Sequence, residues 1–437
     1  MAPFGDSNGK GRHGMAQSGL ACRTGRAIAA ALLTLLAGCA GGRGGGDSGL
    51  GPITLATGRD LTGYLQHVLD GWNRLHPGQR VTLIQLPEAA DETYVQMADS
   101  LRAGSSRFDV LNLDVAWTSE FAAAGWIEPL DRGRLPLSHL LPSVTSTATF
   151  HGQLYAMPYV TNAGLLYYRK DILAKAGVSP PRTWAQLSDD ARTIAPRYGL
   201  QGYAGQLLPY EGLTVNVTEA VQSAGGTILG DEGRTVDVDS PAARAGLAFL
   251  VDGVRQGWIP KAALNFKEEE SRRDFQAGHL LFLRNWPYVY DEANAAGSAV
   301  AGNVGVVPLP GENGPGTGVL GGSDLAVNVH SRHPQTARDL LAYLSSEGVQ
   351  RQVLTEGSLA PVWASLYSDP ALVRRYPYLP VLKQSVDSAV PRPKSAHYDQ
   401  VSLAVAGITS EALRGHLTVD EASARLAREL TAIVHSG

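Results

Sequence analysis

Residues 104–117 read Gly-Ser-Ser-Arg-Phe-Asp-Val-Leu-Asn-Leu-Asp-Val-Ala-Trp. Phe108 to Leu113 is almost continuously apolar, the pattern of a strand buried on both faces of a sheet. Upstream, Ile53 to Ala56 is a short strand, and Asp60 is placed to cap a helix. That helix has Leu61, Tyr64, Leu65, Val68, Leu69, Trp72 and Leu75 at helical spacing and stops at His76-Pro77-Gly78. Val81 to Leu86 is the next strand, and Tyr94 to Leu101 is helical, ending near Gly104. Strand and helix in alternation predict an α/β fold on an open, mostly parallel sheet. Such sheets bind ligands beyond the carboxyl ends of their strands, where Asp114 stands.

The same grammar resumes downstream. Gly164 to Tyr168 is a strand running into a helix from Asp171 to Ala176, closed by Gly177. Trp184 to Ala195 is helical up to Pro196, and Ser240-Pro241 starts a helix that runs to about Arg255. Leu280 to Leu283, Val304 to Val307 and Leu325 to Val329 are strands, with a Gly- and Pro-rich crossing at 311–318 between the last two. Ala337 to Leu344 is helical, and Thr418-Val419-Asp420-Glu421 is a capping box opening a helix to about Val434. The Glu268-Glu269-Glu270 run reads as a solvated helix face. The mature chain is longer than one core usually supports, so two lobes are expected.

The amino terminus is of another kind. Lys10, Arg12, Arg23 and Arg26 precede an apolar run at 27–36 that is too short for a permanent span. It ends in Leu36-Ala37-Gly38-Cys39, the lipobox pattern, so 1–38 reads as a lipoprotein signal peptide and Cys39 as the acylated residue. Residues 39–52 are Gly-rich and read as a flexible tether.

Loss of 1–38, with four basic residues and one acid, takes the net charge from −4 to −7, which argues against nucleic acid as a partner. The only cysteines are Cys22 and Cys39, so the folded part has no disulfide and no cysteine metal site. No P-loop, HExxH, dinucleotide fingerprint or GxSxG elbow occurs. No catalytic residue, cofactor or metal is expected.

Several stretches together resemble the extracytoplasmic sugar-binding proteins of ABC importers, nearest the trehalose/maltose-binding branch of family 1. They are 104–117 with Gly125-Trp126-Ile127-Glu128-Pro129-Leu130; Tyr155 to Tyr159 with Asn162 to Arg169; Tyr210-Glu211-Gly212-Leu213; Arg284-Asn285-Trp286-Pro287-Tyr288; Leu320-Gly321-Gly322; and Pro391-Arg392-Pro393. The resemblance implies a two-lobed periplasmic-binding-protein type II fold, with a ligand cleft between lobes joined by hinge strands. The first lobe is expected at 53–161 plus 318–360 and the second at 162–317 plus 361–437.

It also maps ligand contacts onto Asp114, Asn162, Trp286, Tyr288, Gly322 and Arg392, with Arg59 or Asp60, after the first strand, and Glu211 as further candidates. Ser323 stands where that branch often has an aromatic residue. The implied partners are a small sugar, an α-linked disaccharide such as trehalose or maltose first, and the permease subunits of the importer. The protein is expected to act as a monomer and to touch the outer face of the cell membrane only through its anchor. These residue types suit a sugar: carboxylate, amide and guanidinium meet hydroxyl edges, and indole and phenol rings meet the C–H faces. The alternatives are a lipid-anchored glycoside hydrolase, which needs two carboxylates set across one bond, and a receptor of the same fold for a non-sugar solute.

Overall fold

The computed structural model describes residues 49–60, 63–87 and 89–435. The signal peptide, Cys39, the tether up to residue 48 and Leu61 lie outside the described residues. Gly49 and Gly51 are held to a helix start. The Gly49 carbonyl accepts the N–H groups of Gln335 (3.0 Å) and Thr336 (3.3 Å), and the Gly51 N–H donates to Thr336 Oγ1 at 3.0 Å. The helix Pro334–Leu344 thereby finds acceptors for its first free N–H groups, and residues 49–51, expected in the tether, are bonded to the fold.

Two sheets carry the fold. Their strands are β1 Ile53–Thr57, β2 Val81–Gln85, β3 Val110–Asp114, β4 Ala156–Ala163, β5 Leu165–Arg169, β6 Gln201–Ala204, β7 Leu280–Asn285, β8 Val304–Pro308 and β9 Leu320–Val327. The first sheet has the order β2-β1-β3-β9-β4 and the second β8-β5-β7-β6. This is the expected two-lobed α/β fold, but neither sheet is mostly parallel. β1 pairs parallel with β2 and β3, whereas β9 runs antiparallel to both β3 and β4. In the second sheet only β6 and β7 are parallel. The cause is connectivity: β9 returns from the second sheet and slots into the first against the local strand direction. A continuous apolar run reports burial on both faces, and an interior antiparallel strand such as β9, with Leu325 to Val327 buried, carries the same mark.

The helices that matter here are α1 Tyr64–Leu75, α2 Ala90–Arg102, α3 Glu211–Ser223, α4 Glu268–Gln276, α5 Leu379–Ser388, α6 Tyr398–Leu413 and α7 Val419–Val434. α1 buries Tyr64, Leu65, Val68, Leu69 and Trp72, the stripe its spacing predicts. α7 opens on the expected capping box, with the Thr418 hydroxyl and the Glu421 carboxylate exchanging backbone N–H groups. Among the described residues no helix is long and apolar enough to cross a membrane.

The chain passes between the sheets at three neighbouring places. Gly164 separates β4 from β5, and residues 309–319 join β8 to β9. Val319 pairs with Val390, just after α5, and the Leu320 N–H donates to the Val390 carbonyl at 2.8 Å. Pro361 and Trp363 still pair with Val160 and Leu140, so this stretch runs beside the first sheet.

Candidate ligand-binding site

A cavity of about 990 Å³ opens between the sheets, and all the binding candidates line it. From the first sheet come Asp114 at the end of β3, Asn162 near the end of β4, and Gly322 in β9. From the second come Trp286 and Tyr288, directly after β7, and Glu211 at the start of α3. Arg392 follows the third crossing, and Asp60 follows β1.

Arg392 bridges the two halves. Its guanidinium donates to Asp114 Oδ1 and, at 2.5 Å, to Glu211 Oε1. Its side chain is 2% exposed, while that of Asp114 is 22% exposed and faces the cavity. Glu211 also accepts from the Tyr398 hydroxyl at 2.6 Å and from the Ser402 hydroxyl. Burial pushes the Glu211 carboxyl above its ordinary value, with Arg392 pulling it back and Asp114 adding to the rise. Burial opposes the charge on Arg392, but the carboxylates of Asp114 and Glu211 outweigh it and raise the guanidinium pKa. The fork expected to donate to a ligand is therefore engaged across the cleft, with Nε left as a buried donor that has no protein partner. Asp114 also accepts the Ala116 N–H at 2.9 Å, so it caps the turn after its strand as well as lining the cleft.

The paired glycines serve the cleft from within. Gly322 has φ +107°, and a Cβ there would come within 2.0 Å of the Val160 carbonyl oxygen. A β-bulge follows it: the β9–β4 register shifts between Ser323 and Asp324, where Tyr159 of β4 is the extra residue. A Cβ at Gly321 would meet the Trp286 ring at 2.9 Å, so glycine lets the indole lie against β9. Asp60 accepts the N–H groups of Gly63 (3.1 Å) and Leu65 (3.0 Å), so it serves the start of α1 from outside it, the helix beginning at Tyr64 with Gly63 and not Asp60 at the N-cap position. Asp324, beside the bulge, is 1% exposed. Burial pushes its carboxyl up to about 8, although hydrogen bonds from Thr147 and Thr118 pull the other way.

One expectation fails at the rim. Glu268 and Glu269 do not lie on a solvated face; they are half-buried in the cavity wall. Tyr210 donates to Glu268 at 2.7 Å, and Tyr288 donates to Glu269 at 2.8 Å. Burial works to raise the Glu269 carboxyl, but bonds from Arg272 and Tyr288 outweigh it and hold it below the ordinary range. The acids occupy the first turn of α4, where the helix dipole favours them, and the Glu268 carbonyl accepts from Asn285 at 3.1 Å. Tyr210, Lys267, Arg272 and Arg273 also line the cavity and were not singled out as ligand contacts. Tyr210 adjoins Glu211 in sequence, which is the signal that could have found it, whereas Lys267, Arg272 and Arg273 read like the charges of any exposed helix.

Comparison with known proteins agrees with the two-lobed fold. Residues 57–351 match the family described as bacterial extracellular solute-binding protein. A probable ABC transporter-binding protein of Deinococcus radiodurans is 33% identical over 348 residues, spanning 76% of this chain and 81% of that one. The structure of maltose-bound T. maritima MalE3 has a TM-score of 0.81 at 34% identity, covering 87% of this chain and 99% of the other. The GacH receptor of Streptomyces glaucescens GLA.O, solved unliganded and with acarbose, has a TM-score of 0.77 at 25% identity, covering 89% and 99%.

Proposed function

The chain belongs to the bacterial extracellular solute-binding proteins, and from that premise we propose that it captures a neutral sugar for an ABC importer. An α-linked disaccharide such as trehalose or maltose is the first ligand to test. The observation that carries this reading is one cavity with Trp286 and Tyr288 on one wall and Asp114 and Asn162 on the other. The rings offer flat apolar faces to a pyranose, and the carboxylate and amide offer acceptors and donors to its hydroxyls. At about 990 Å³ the cavity has room for more than one ring. The maltose in the MalE3 structure supports the same ligand class.

Two lobes, one built on each sheet, bend about the crossings near Gly164, Val319 and Val390, and a ligand touching both shifts them towards the closed form. The closed receptor docks permease subunits as a monomer. A diacylated Cys39 holds it to the outer face of the membrane. A few charge-assisted hydrogen bonds of roughly 1.5–3 kcal/mol each, before desolvation, plus ring contact can reach the roughly −8 kcal/mol of a micromolar binder. Calorimetry against a disaccharide panel tests the proposal. Trp286→Ala is expected to weaken the best ligand at least about tenfold with the fold intact. Unchanged affinity removes the stacking wall from the argument, and no binding by any sugar removes the ligand class.

A further inference from the structure

Below the aromatic wall lies an ion pair that reaches the crossings. The Arg284 guanidinium carbon sits 4.1 Å from the centroid of the Trp286 ring. Its Nε and Nη2 donate to the two carboxylate oxygens of Glu219 at 2.6 and 2.7 Å, and its Nη1 donates to Gln206 Oε1 at 2.8 Å. The two side chains are 1% and 5% exposed. Glu219 comes from the middle of α3 and Arg284 from β7, so both belong to the second lobe.

The carboxylate does more than neutralise the arginine. Glu219 Oε1 also accepts the N–H of Val319 at 3.3 Å. It lies so near Gly164 that a Cβ there would come within 2.1 Å of it. Gly164 and Val319 are two of the three crossings, and Val319 pairs with Val390 at the third. One carboxylate therefore touches two hinge strands directly, while its counter-ion lies against the indole expected to meet the sugar. A bidentate, nearly dry arginine–carboxylate pair is rigid in plane and in distance. A shift of the Trp286 ring is carried to Glu219 through that fork, and from Glu219 to the Val319 amide.

We infer that Glu219 and Arg284 are positioning residues that couple the aromatic wall of the cleft to the hinge. The inference rests on the sugar reading for its ligand half and on the geometry at Gly164 and Val319 for its hinge half. Neither residue touches the ligand; they fix the ring and the crossing strands relative to one another.

Removing one partner alone would strand a buried charge and endanger folding. The test is therefore the full chain carrying Glu219→Leu together with Arg284→Met, which replaces the pair by apolar groups. Two readouts are taken beside a thermal melt. The first is hydrogen–deuterium exchange of peptides spanning 317–321, compared with peptides from β1 to β3. The second is calorimetric affinity for the best disaccharide.

Coupling predicts that exchange at 317–321 rises at least about tenfold without ligand while β1 to β3 stay at wild-type rates. It also predicts that affinity falls about tenfold and that added sugar no longer slows exchange at 317–321. A merely structural pair would raise exchange everywhere or nowhere. Exchange at 317–321 equal to wild type, or raised equally in all peptides, overturns the inference. Wild-type affinity retained beside faster hinge exchange overturns the coupling to the wall. If the wild-type protein binds no sugar at all, the functional reading falls, and the ligand-free exchange pattern alone decides the hinge role.

Discussion

Arg392→Met isolates the strut across the cleft. In the native protein the guanidinium is the shared counter-ion of Asp114 and Glu211. Without it, Glu211 keeps only the Tyr398 and Ser402 hydroxyls and Asp114 keeps the Ala116 amide. Breaking such a buried cluster by removing one partner costs about 3–5 kcal/mol. The cost must depend on pH, because Glu211 can escape it by taking a proton. Burial already raises its carboxyl above the ordinary 4.5, and Arg392 opposes that rise. The variant raises it further.

A carboxyl whose pKa is higher folded than unfolded holds its proton in the folded state after the unfolded chain has released it. Stability is then full below the unfolded value and is lost as pH rises towards the folded one. Urea unfolding followed by circular dichroism at pH 5 and pH 8 should show most of the loss at pH 8 and a clearly smaller one at pH 5. A loss under about 1 kcal/mol at pH 8 would mean the cluster is solvated and its parts nearly independent. An equal loss at both values would mean that Glu211 does not relieve the strain.

Asp324→Asn should remove a pH-dependent weakness. With its carboxyl at about 8, the wild type loses stability as pH climbs from the ordinary carboxylate range to that value, and the variant should melt higher than wild type at pH 9 but not at pH 5; parallel melting curves would contradict this. Gly322→Ala should cost at least about 2 kcal/mol in urea unfolding, because the left-handed φ and the Val160 carbonyl both resist a Cβ; a change under about 0.5 kcal/mol would refute the crowding argument. Cys39→Ala should move the protein from the membrane fraction into the medium, and retention on the membrane would reject acylation.

Most strands were legible because they are short apolar runs, although β4 and β6 were not read, and helix ends were legible because caps obey local rules: Thr418, the Ser240-Pro241 pair and the left-handed Gly177 all stand where expected. α3 and α6 were not laid out as helices in advance. Glu211 through Val221 are buried without interruption, so no stripe separates a wet face from a dry one. The reversed direction of β9 was equally hidden, since it depends on where the chain has been. At the site, the residue types were readable, and the structure gathers the candidates around one cavity. Their division of labour was not. That Arg392 holds two carboxylates, and that Gly321 and Gly322 yield to an indole and a carbonyl, depends on contacts between residues far apart in sequence.

The position of β9 also sets a timetable for synthesis. It is the last-made strand of the first sheet, yet it lies between β3 and β4. Asn328, just beyond it, bonds to carbonyls 223 and 220 residues earlier. Until the ribosome has released this stretch, β3 and β4 each keep a bare edge, and the two parts of the sheet have nothing to join them. The growing chain must carry those sticky edges from Asp114 and Ala163 until Leu320 and the rest of β9 are made, without pairing them wrongly. Its completion is a slow, long-range event of the kind that high contact order imposes.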